Sequence, residues 1–276
     1  MDAAYRDRTV VITGASDGIG AELALQLSAQ RAKLVLAARN AEALERVAAA
    51  CRARGAAAHA VPTDVTDDAA CARLMAASVD AHGGIDALVA NAGVSMHARF
   101  TDITDFSTFE RLWRINCLGT VQCVRHAYPH LRARRGQIVG VCSLAGKTGV
   151  PERTTYCASK FAQAGFLDAL RIEAEDDGIA VTVVFPGVVA TEIRRHGWNA
   201  DGQSAGVSGL AEDTAMGVDE CARQIITAMG GRRRELVMTR KARAGMWMKL
   251  LAPRVVDRMA RAALAKDPAS RRPVRQ

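Results

Sequence analysis

The stretch TVVITGASDGIG, Thr9 to Gly20, decides the fold. Thr9–Thr13 is a short, apolar, β-branched run, the pattern of a buried strand. Gly14 ends it, and 20–29 then carries apolar residues at helical spacing. Glycines at 14, 18 and 20 permit a tight turn and let the backbone approach a pyrophosphate. The helix start adds free N–H donors and the positive end of its dipole. The pattern is G-x-x-x-G-x-G, and its setting between strand and helix gives it meaning.

Outward from this turn, strand and helix alternate along the chain. Further apolar runs over 33–38, 57–61, 85–90, 137–142, 180–185 and 235–239 predict six more strands. Helical patterns cover 41–54 (capped by Asn40), 67–82, 106–134 (long or bent), 155–176 and 218–229. The strands are continuous apolar runs rather than alternating ones, as in a parallel sheet covered on both faces. The expected fold class is therefore α/β: a doubly wound, mostly parallel, seven-stranded Rossmann-like sheet in one domain. Two segments break the rhythm. Residues 194–216 are rich in Gly, Ser, Asp and Ala and read as a long loop. Residues 242–265 mix apolar and basic residues around Pro253, which should break or kink a helix. The boundaries expected are 1–241 for the Rossmann-like catalytic body and 242–276 for a basic helical extension of the same domain.

Composition narrows the class. The chain has 276 residues, 49% hydrophobic and 24% charged, which describes an ordinary globular protein. Aromatics at 4% argue against stacked-base recognition of single strands. The net charge is +8, yet 232–276 holds fourteen Lys/Arg against three acids, so the rest is slightly acidic. Such a tail suits an anionic surface such as lipid headgroups or nucleic acid, or simply aids solubility. No nucleic-acid reading motif accompanies it, so no nucleic-acid partner is expected. Seven scattered cysteines without metal spacing fit free thiols in a reducing cytosol, and six histidines show no metal spacing either. Met1–Arg8 is no signal peptide, and no apolar run reaches the ~20 residues that span a bilayer. A cytoplasmic protein is expected, with contact at the inner membrane face left open.

The catalytic reading rests on three side chains. Tyr156 and Lys160 are i and i+4, so they share a helix face. A phenol titrates near ~10, and a neighbouring ammonium is expected to lower that value toward the working range. Ser143 ends the fifth strand, where its hydroxyl can hydrogen-bond a substrate oxygen.

The wording T-G-A-S-x-G-I-G, the Asn91-Ala92-Gly93 element, Ser143 and Tyr156-x-x-x-Lys160 resemble, in order, the short-chain dehydrogenase/reductase family. The resemblance covers almost the whole chain. It implies Asn116, Ser143, Tyr156 and Lys160 as the catalytic set, with Asn116 holding a water that links Lys160 to solvent. It implies a nicotinamide cofactor held by Gly14, Ser16, Asp17, Gly18, Ile19, Gly20, Asp64, Val65, Asn91, Ala92, Gly93, Tyr156, Lys160, Pro186, Gly187, Val189 and Thr191. Arg39 stands at the end of the second strand, where NAD-selective enzymes keep an acid, and it can pair with a 2′-phosphate. NADP(H) is therefore expected over NAD(H), with Asp17 a counter-signal. Val94, Met96, Leu144, Val150, Val188, Val189, Ile193 and Trp198 are expected to wall a mainly apolar pocket, so the substrate expected is a lipophilic ketone or secondary alcohol. The wording over 143–147 and 166–171 is similar to lipid-handling members such as 11β-hydroxysteroid dehydrogenases. By resemblance the protein forms a homodimer or homotetramer. Residues 242–265 lie on a membrane, on a second subunit or over the pocket. The competing reading is a catalytically idle NADP(H) sensor or scaffold of the same fold.

Overall fold

The computed structural model describes residues 4–193, 196–206 and 215–265. Its centre is a seven-stranded sheet in the order β3-β2-β1-β4-β5-β6-β7, every neighbouring pair parallel. The strands are β1 Thr9–Thr13, β2 Lys33–Ala38, β3 Ala58–Pro62, β4 Ala87–Ala90, β5 Gln137–Val141, β6 Ala180–Phe185 and β7 Glu235–Val237. Val11 of β1 lies opposite Val35 on one side and Leu88 on the other. Successive side chains point to opposite faces, and both faces are covered, which is why the strands read as unbroken apolar runs.

One face packs beneath α1 (Gly18–Ala29), α2 (Ala41–Ala53) and α7 (Val218–Gly230), through Val10, Ile12, Leu23, Leu27, Leu44 and Ile225. The other packs beneath α3 (Asp68–His82), α5 (Gly119–Arg134) and α6 (Thr154–Glu173), through Val11, Leu74, Leu131 and Leu167. Asn40 caps α2 as expected, its Oδ1 accepting from Ala43 N at 3.0 Å.

The helix predicted over 106–134 is interrupted. It comprises α4 (Ser107–Trp113), a π turn at Arg114–Leu118, and α5. The π turn surrounds Asn116, whose side chain is bonded to other elements rather than to its own helix. The C-terminal pattern forms two helices, α8 (Arg240–Leu251) and α9 (Pro253–Ala265), so Pro253 divides it. Thr239 caps α8, and Lys249 reaches from it to the Lys147 carbonyl at 2.8 Å. The predicted 194–216 loop is described only at 196–206 and 215–216, and the basic tail beyond 265 lies outside the described residues.

The amino ends of the central strands are tied by Asp86. Its carboxylate accepts from Thr9 N at 2.8 Å and pairs with Arg8 and Arg134 at 3.1 and 3.3 Å. β2 and β3 extend one way from β1 and β4 through β7 the other. The direction of winding therefore reverses between β1 and β4, where doubly wound sheets open a crevice at the carboxyl edge.

Candidate active site

The glycine turn fills that crevice. Gly14 has φ +64, and a Cβ there would lie 2.9 Å from Ala92 Cα. A Cβ on Gly20 would fall 2.2 Å from the Gly14 carbonyl oxygen, so α1 can start this close only without one. Asn91 fastens the turn from β4, its Nδ2 donating to the Thr13 and Gly14 carbonyls at 3.0 and 3.1 Å. Thr13 Oγ1 accepts from both Asn91 N and Ala92 N at 3.0 Å. Thr13 is a positioning residue that the sequence reading quoted in the motif but did not select. Asp17, at the start of α1, makes no side-chain capping bond, and the helix has no acid in its first turn. The leading N–H groups and the dipole are thus left to face an anion. This arrangement fits the pyrophosphate of a dinucleotide. Asp17 instead meets His196, with Nδ1 to Oδ2 at 3.8 Å.

Across the crevice, α6 carries Tyr156 and Lys160, both almost fully buried. Ser143 follows β5, its Oγ accepting from Ala145 N at 3.2 Å and lying near enough to the Tyr156 phenol to act on its titration. Burial pushes the Tyr156 pKa up to about 12, against the opposing pull of the Ser143 hydroxyl and the Arg153 charge. The expectation that Lys160 lowers it is therefore corrected for the protein alone. Lys160 Nζ is occupied, donating to the Val141 carbonyl at 3.2 Å and to Gln163 Oε1 at 2.8 Å. Its own pKa is depressed by burial.

Behind this pair runs a closed polar chain. Gln163 Nε2 donates to Thr120 Oγ1 at 2.9 Å, and Thr120 donates to the Asn116 carbonyl at 3.2 Å. Asn116 brackets Val94, accepting from its N–H at 2.8 Å and donating to its carbonyl at 3.0 Å, and also donates to Ser159 Oγ at 2.9 Å. Its side-chain amide is held by Val94 and Ser159. Gln163, Thr120 and Ser159 escaped the sequence reading. Gln163 shares a helix face with Lys160, the one signal that pointed to it.

Ser143, Tyr156, Lys160 and the glycine turn line one cleft of about 610 Å³. Ser16, Asp17, Ile19, Arg39, Asp64, Val65, Asn91, Ala92, Gly93, Pro186, Gly187, Val189 and Thr191 line it too. Gly20 and Asn116 do not reach it; both are buried supports. Of the predicted walls, Val94, Val189, Ile193 and Trp198 line the cleft. Met96 is buried behind it, and Leu144, Val150 and Val188 lie outside the lining. Three residues that periodicity did not select, Arg111, Arg114 and Arg153, line the cleft as well. Cys142 and Cys157 are buried, and burial raises both thiols, so neither is an activated nucleophile. Among the described residues no His, Cys or carboxylate group clusters as a metal site.

A doubly wound parallel sheet with a glycine turn at its switch point, faced by a buried Tyr–Lys pair and a half-buried serine, defines a class of nucleotide-dependent oxidoreductases. Residues 8–201 match the family model described as short chain dehydrogenase. The chain belongs to the short-chain dehydrogenase/reductase family. It is similar to dehydrogenase/reductase SDR family member 7B of Bos taurus, 35% identical over 97% of this chain and 84% of that protein. It is 38% identical to the 11-beta-hydroxysteroid dehydrogenase-like 4A protein of Arabidopsis thaliana, over 66% of this chain and 61% of that one. The fold is also that of a short chain dehydrogenase/reductase from Burkholderia phymatum solved in complex with NAD. That structure has a TM-score of 0.81 at 23% identity, over 91% of this chain and 96% of that one. An alcohol dehydrogenase from Thermococcus sibiricus, complexed with 5-hydroxy-NADP, superposes with TM-score 0.73 at 22% identity, over 84% and 95%.

Proposed function

We propose that this protein is an NADP(H)-dependent oxidoreductase that interconverts a carbonyl and a secondary alcohol, with Tyr156 as general acid and base. The observation that carries the reading is the meeting of Ser143, Tyr156 and Lys160 with the glycine turn in the lining of one cleft. The bound nicotinamide supplies or accepts the hydride at the carbonyl carbon. Ser143 hydrogen-bonds the substrate oxygen as charge develops on it. Tyr156 donates its phenolic proton to that oxygen in reduction and takes it back in oxidation. With its pKa raised to about 12, Tyr156 is fully protonated at neutral pH and ready as the donor in reduction. Lys160 fits a role at the cofactor, since Gly93, Asn116 and the ammonium crowd together: a Cβ on Gly93 would meet Lys160 Nζ at 3.5 Å. Arg39 in the lining, with no acid at the end of β2, supports NADP(H) over NAD(H) through pairing with the 2′-phosphate.

The substrate is a small carbonyl compound with a lipophilic part, which Val94, Ile193 and Trp198 receive. Residues 1–241 form the catalytic body. The extension from 242 meets an anionic membrane surface: Trp247, Leu250, Leu251 and Met259 are exposed beside Lys241, Arg243, Arg254 and Arg258. No helix among the described residues is long and apolar enough to cross a membrane, so this contact is peripheral. Phe161 and Ile172, exposed on α6, support self-association into a dimer or tetramer through that helix. The test is to titrate the purified protein with NADPH and NADH, then to supply a ketone panel to the NADPH complex. NADPH binding with turnover of apolar ketones is expected; NADPH binding with no turnover would leave an idle sensor.

A further inference from the structure

Gln163 stands where packing alone would favour an apolar residue. It lies on the same face of α6 as Tyr156 and Lys160, and its side chain is wholly buried. Burying a carboxamide is unfavourable unless it is hydrogen-bonded. Here both ends are bonded, and the partners fix which way the amide faces. Nε2 donates to Thr120 Oγ1 at 2.9 Å, and the Thr120 proton goes on to the Asn116 carbonyl at 3.2 Å. Thr120 Oγ1 is left as an acceptor toward Gln163, so Oε1 is the end turned to Lys160. Oε1 accepts from the ammonium at 2.8 Å, the shorter of the two bonds that Lys160 Nζ makes; the other, to the Val141 carbonyl, is 3.2 Å.

An ammonium has three N–H groups. With Cε and two acceptors fixed, the direction of the third is fixed as well. Lys160 lines the cleft, and among the described residues its ammonium has these two partners alone. No countercharge shares the site. The titratable groups whose charges reach Lys160 are Cys142 after β5 and Cys117 in the π turn, and burial holds both thiols above their ordinary value. Tyr156, on the same helix face, is held protonated for the same reason. Neutral oxygens therefore support the charge, and burial pulls against it.

We propose that Gln163, clamped by Thr120, is a positioning residue for this site: it holds the Lys160 ammonium charged and leaves its third N–H for whatever occupies the cleft. The inference rests on the oxidoreductase reading above for its effect on turnover, while the hold itself is a property of the free protein.

Two substitutions of similar size pull in opposite directions. Gln163→Met removes the acceptor, so the charged form is less favoured and Lys160 loses its proton at lower pH. Gln163→Glu keeps an acceptor and adds a countercharge, so the proton is held to higher pH. Thr120→Val takes away the partner of Nε2, frees the amide to turn, and acts in the direction of Gln163→Met.

The test titrates Lys160 by NMR in the free protein carrying lysine labelled with carbon-13 at Cε, its resonance assigned by its loss in Lys160→Met. The midpoint falls by about one pH unit in Gln163→Met and rises by about as much in Gln163→Glu, the size of one hydrogen bond to a charged group. With NADPH and a ketone that the wild type reduces, the alkaline limb of kcat moves the same way in each variant. A side chain that merely filled space would lower Tm or kcat and leave both midpoints in place. Three variants keep the outcome independent of any one of them folding. The inference is overturned if Lys160 titrates as in the wild type in Gln163→Met or in Thr120→Val, or if Gln163→Met and Gln163→Glu shift it the same way. The titration needs neither cofactor nor turnover. A wild type that binds NADPH and reduces no ketone would therefore sink the oxidoreductase reading without deciding this one.

Discussion

The two edges of the sheet are built on opposite principles. At the amino edge, Asp86 is buried and each carboxylate oxygen has partners: Thr9 N, Arg8 and Arg134. Arg134 also donates to the Gly83 carbonyl, and Gln137 to the Tyr5 hydroxyl. Charge there is neutralised and the backbone is closed. At the carboxyl edge the same strands end in left-handed Gly14 and Gly18, a π turn, a left-handed Glu152 and a buried lysine bonded only to neutral oxygens. An uncapped helix start faces the space between. Burying an ammonium without a countercharge is unfavourable, so such a group persists where the packed scaffold enforces it. The difference teaches where to look: one edge minimises free energy, and the other holds groups ready for something that arrives.

Substitutions should separate the edges cleanly. Tyr156→Phe should lower kcat by roughly a thousandfold, as expected for loss of a general acid, while NADPH titration and Tm change little. Asp86→Ala should do the reverse, costing about 3 kcal/mol of stability by leaving buried partners uncompensated, with kcat of the folded fraction preserved. Thermal melts and rates on the same samples read both. A change in kcat for Asp86→Ala larger than its change in stability would break the comparison. Arg39→Ala should weaken NADPH about tenfold, the size of one charged hydrogen bond, and leave NADH nearly unaffected. Equal weakening of both would place Arg39 away from the 2′-phosphate.

The smallest effect at neutral pH is the alkaline limb. Tyr5 and Tyr156 are both raised by burial from 10.0 to about 12, so the folded state holds these protons more tightly than the unfolded chain. Their contribution to stability is therefore complete below pH 10 and is lost as pH rises toward 12. Tyr128 is raised as well, so none of the three tyrosines should titrate at the ordinary value in absorbance at 295 nm. By the same sign, ketone reduction should stay flat through neutral pH while alcohol oxidation climbs with pH.

Much of this was readable in the chain itself. Continuous runs such as Lys33–Ala38 and Ala180–Phe185 are strands on both counts, because burial on two faces leaves no choice of residue. Thr9–Gly20 announced its turn because Gly14 and Gly20 have close neighbours that exclude a Cβ. Three features were not legible, each for a tertiary reason. The π turn depends on Asn116 finding Val94 and Ser159, which lie 22 and 43 residues away. The spacing of Tyr156 and Lys160 gave their common face but not the partner of the ammonium, which turns to Val141 and Gln163. Arg111, Arg114 and Arg153 come together with Trp198 in the wall of the cleft, a meeting of distant segments that spacing along the chain does not give.

The measurement that tests the central claim most directly is isotope transfer. The wild-type protein is given NADPH deuterated at the transferable position and an accepted ketone, and the alcohol is examined by mass spectrometry. One deuterium on the carbinol carbon is predicted, with the incorporation abolished in Tyr156→Phe on the same time scale. Alcohol formed without deuterium, or equal incorporation by Tyr156→Phe, would contradict the assignment of the carboxyl edge as a hydride-transfer site with Tyr156 as its proton donor.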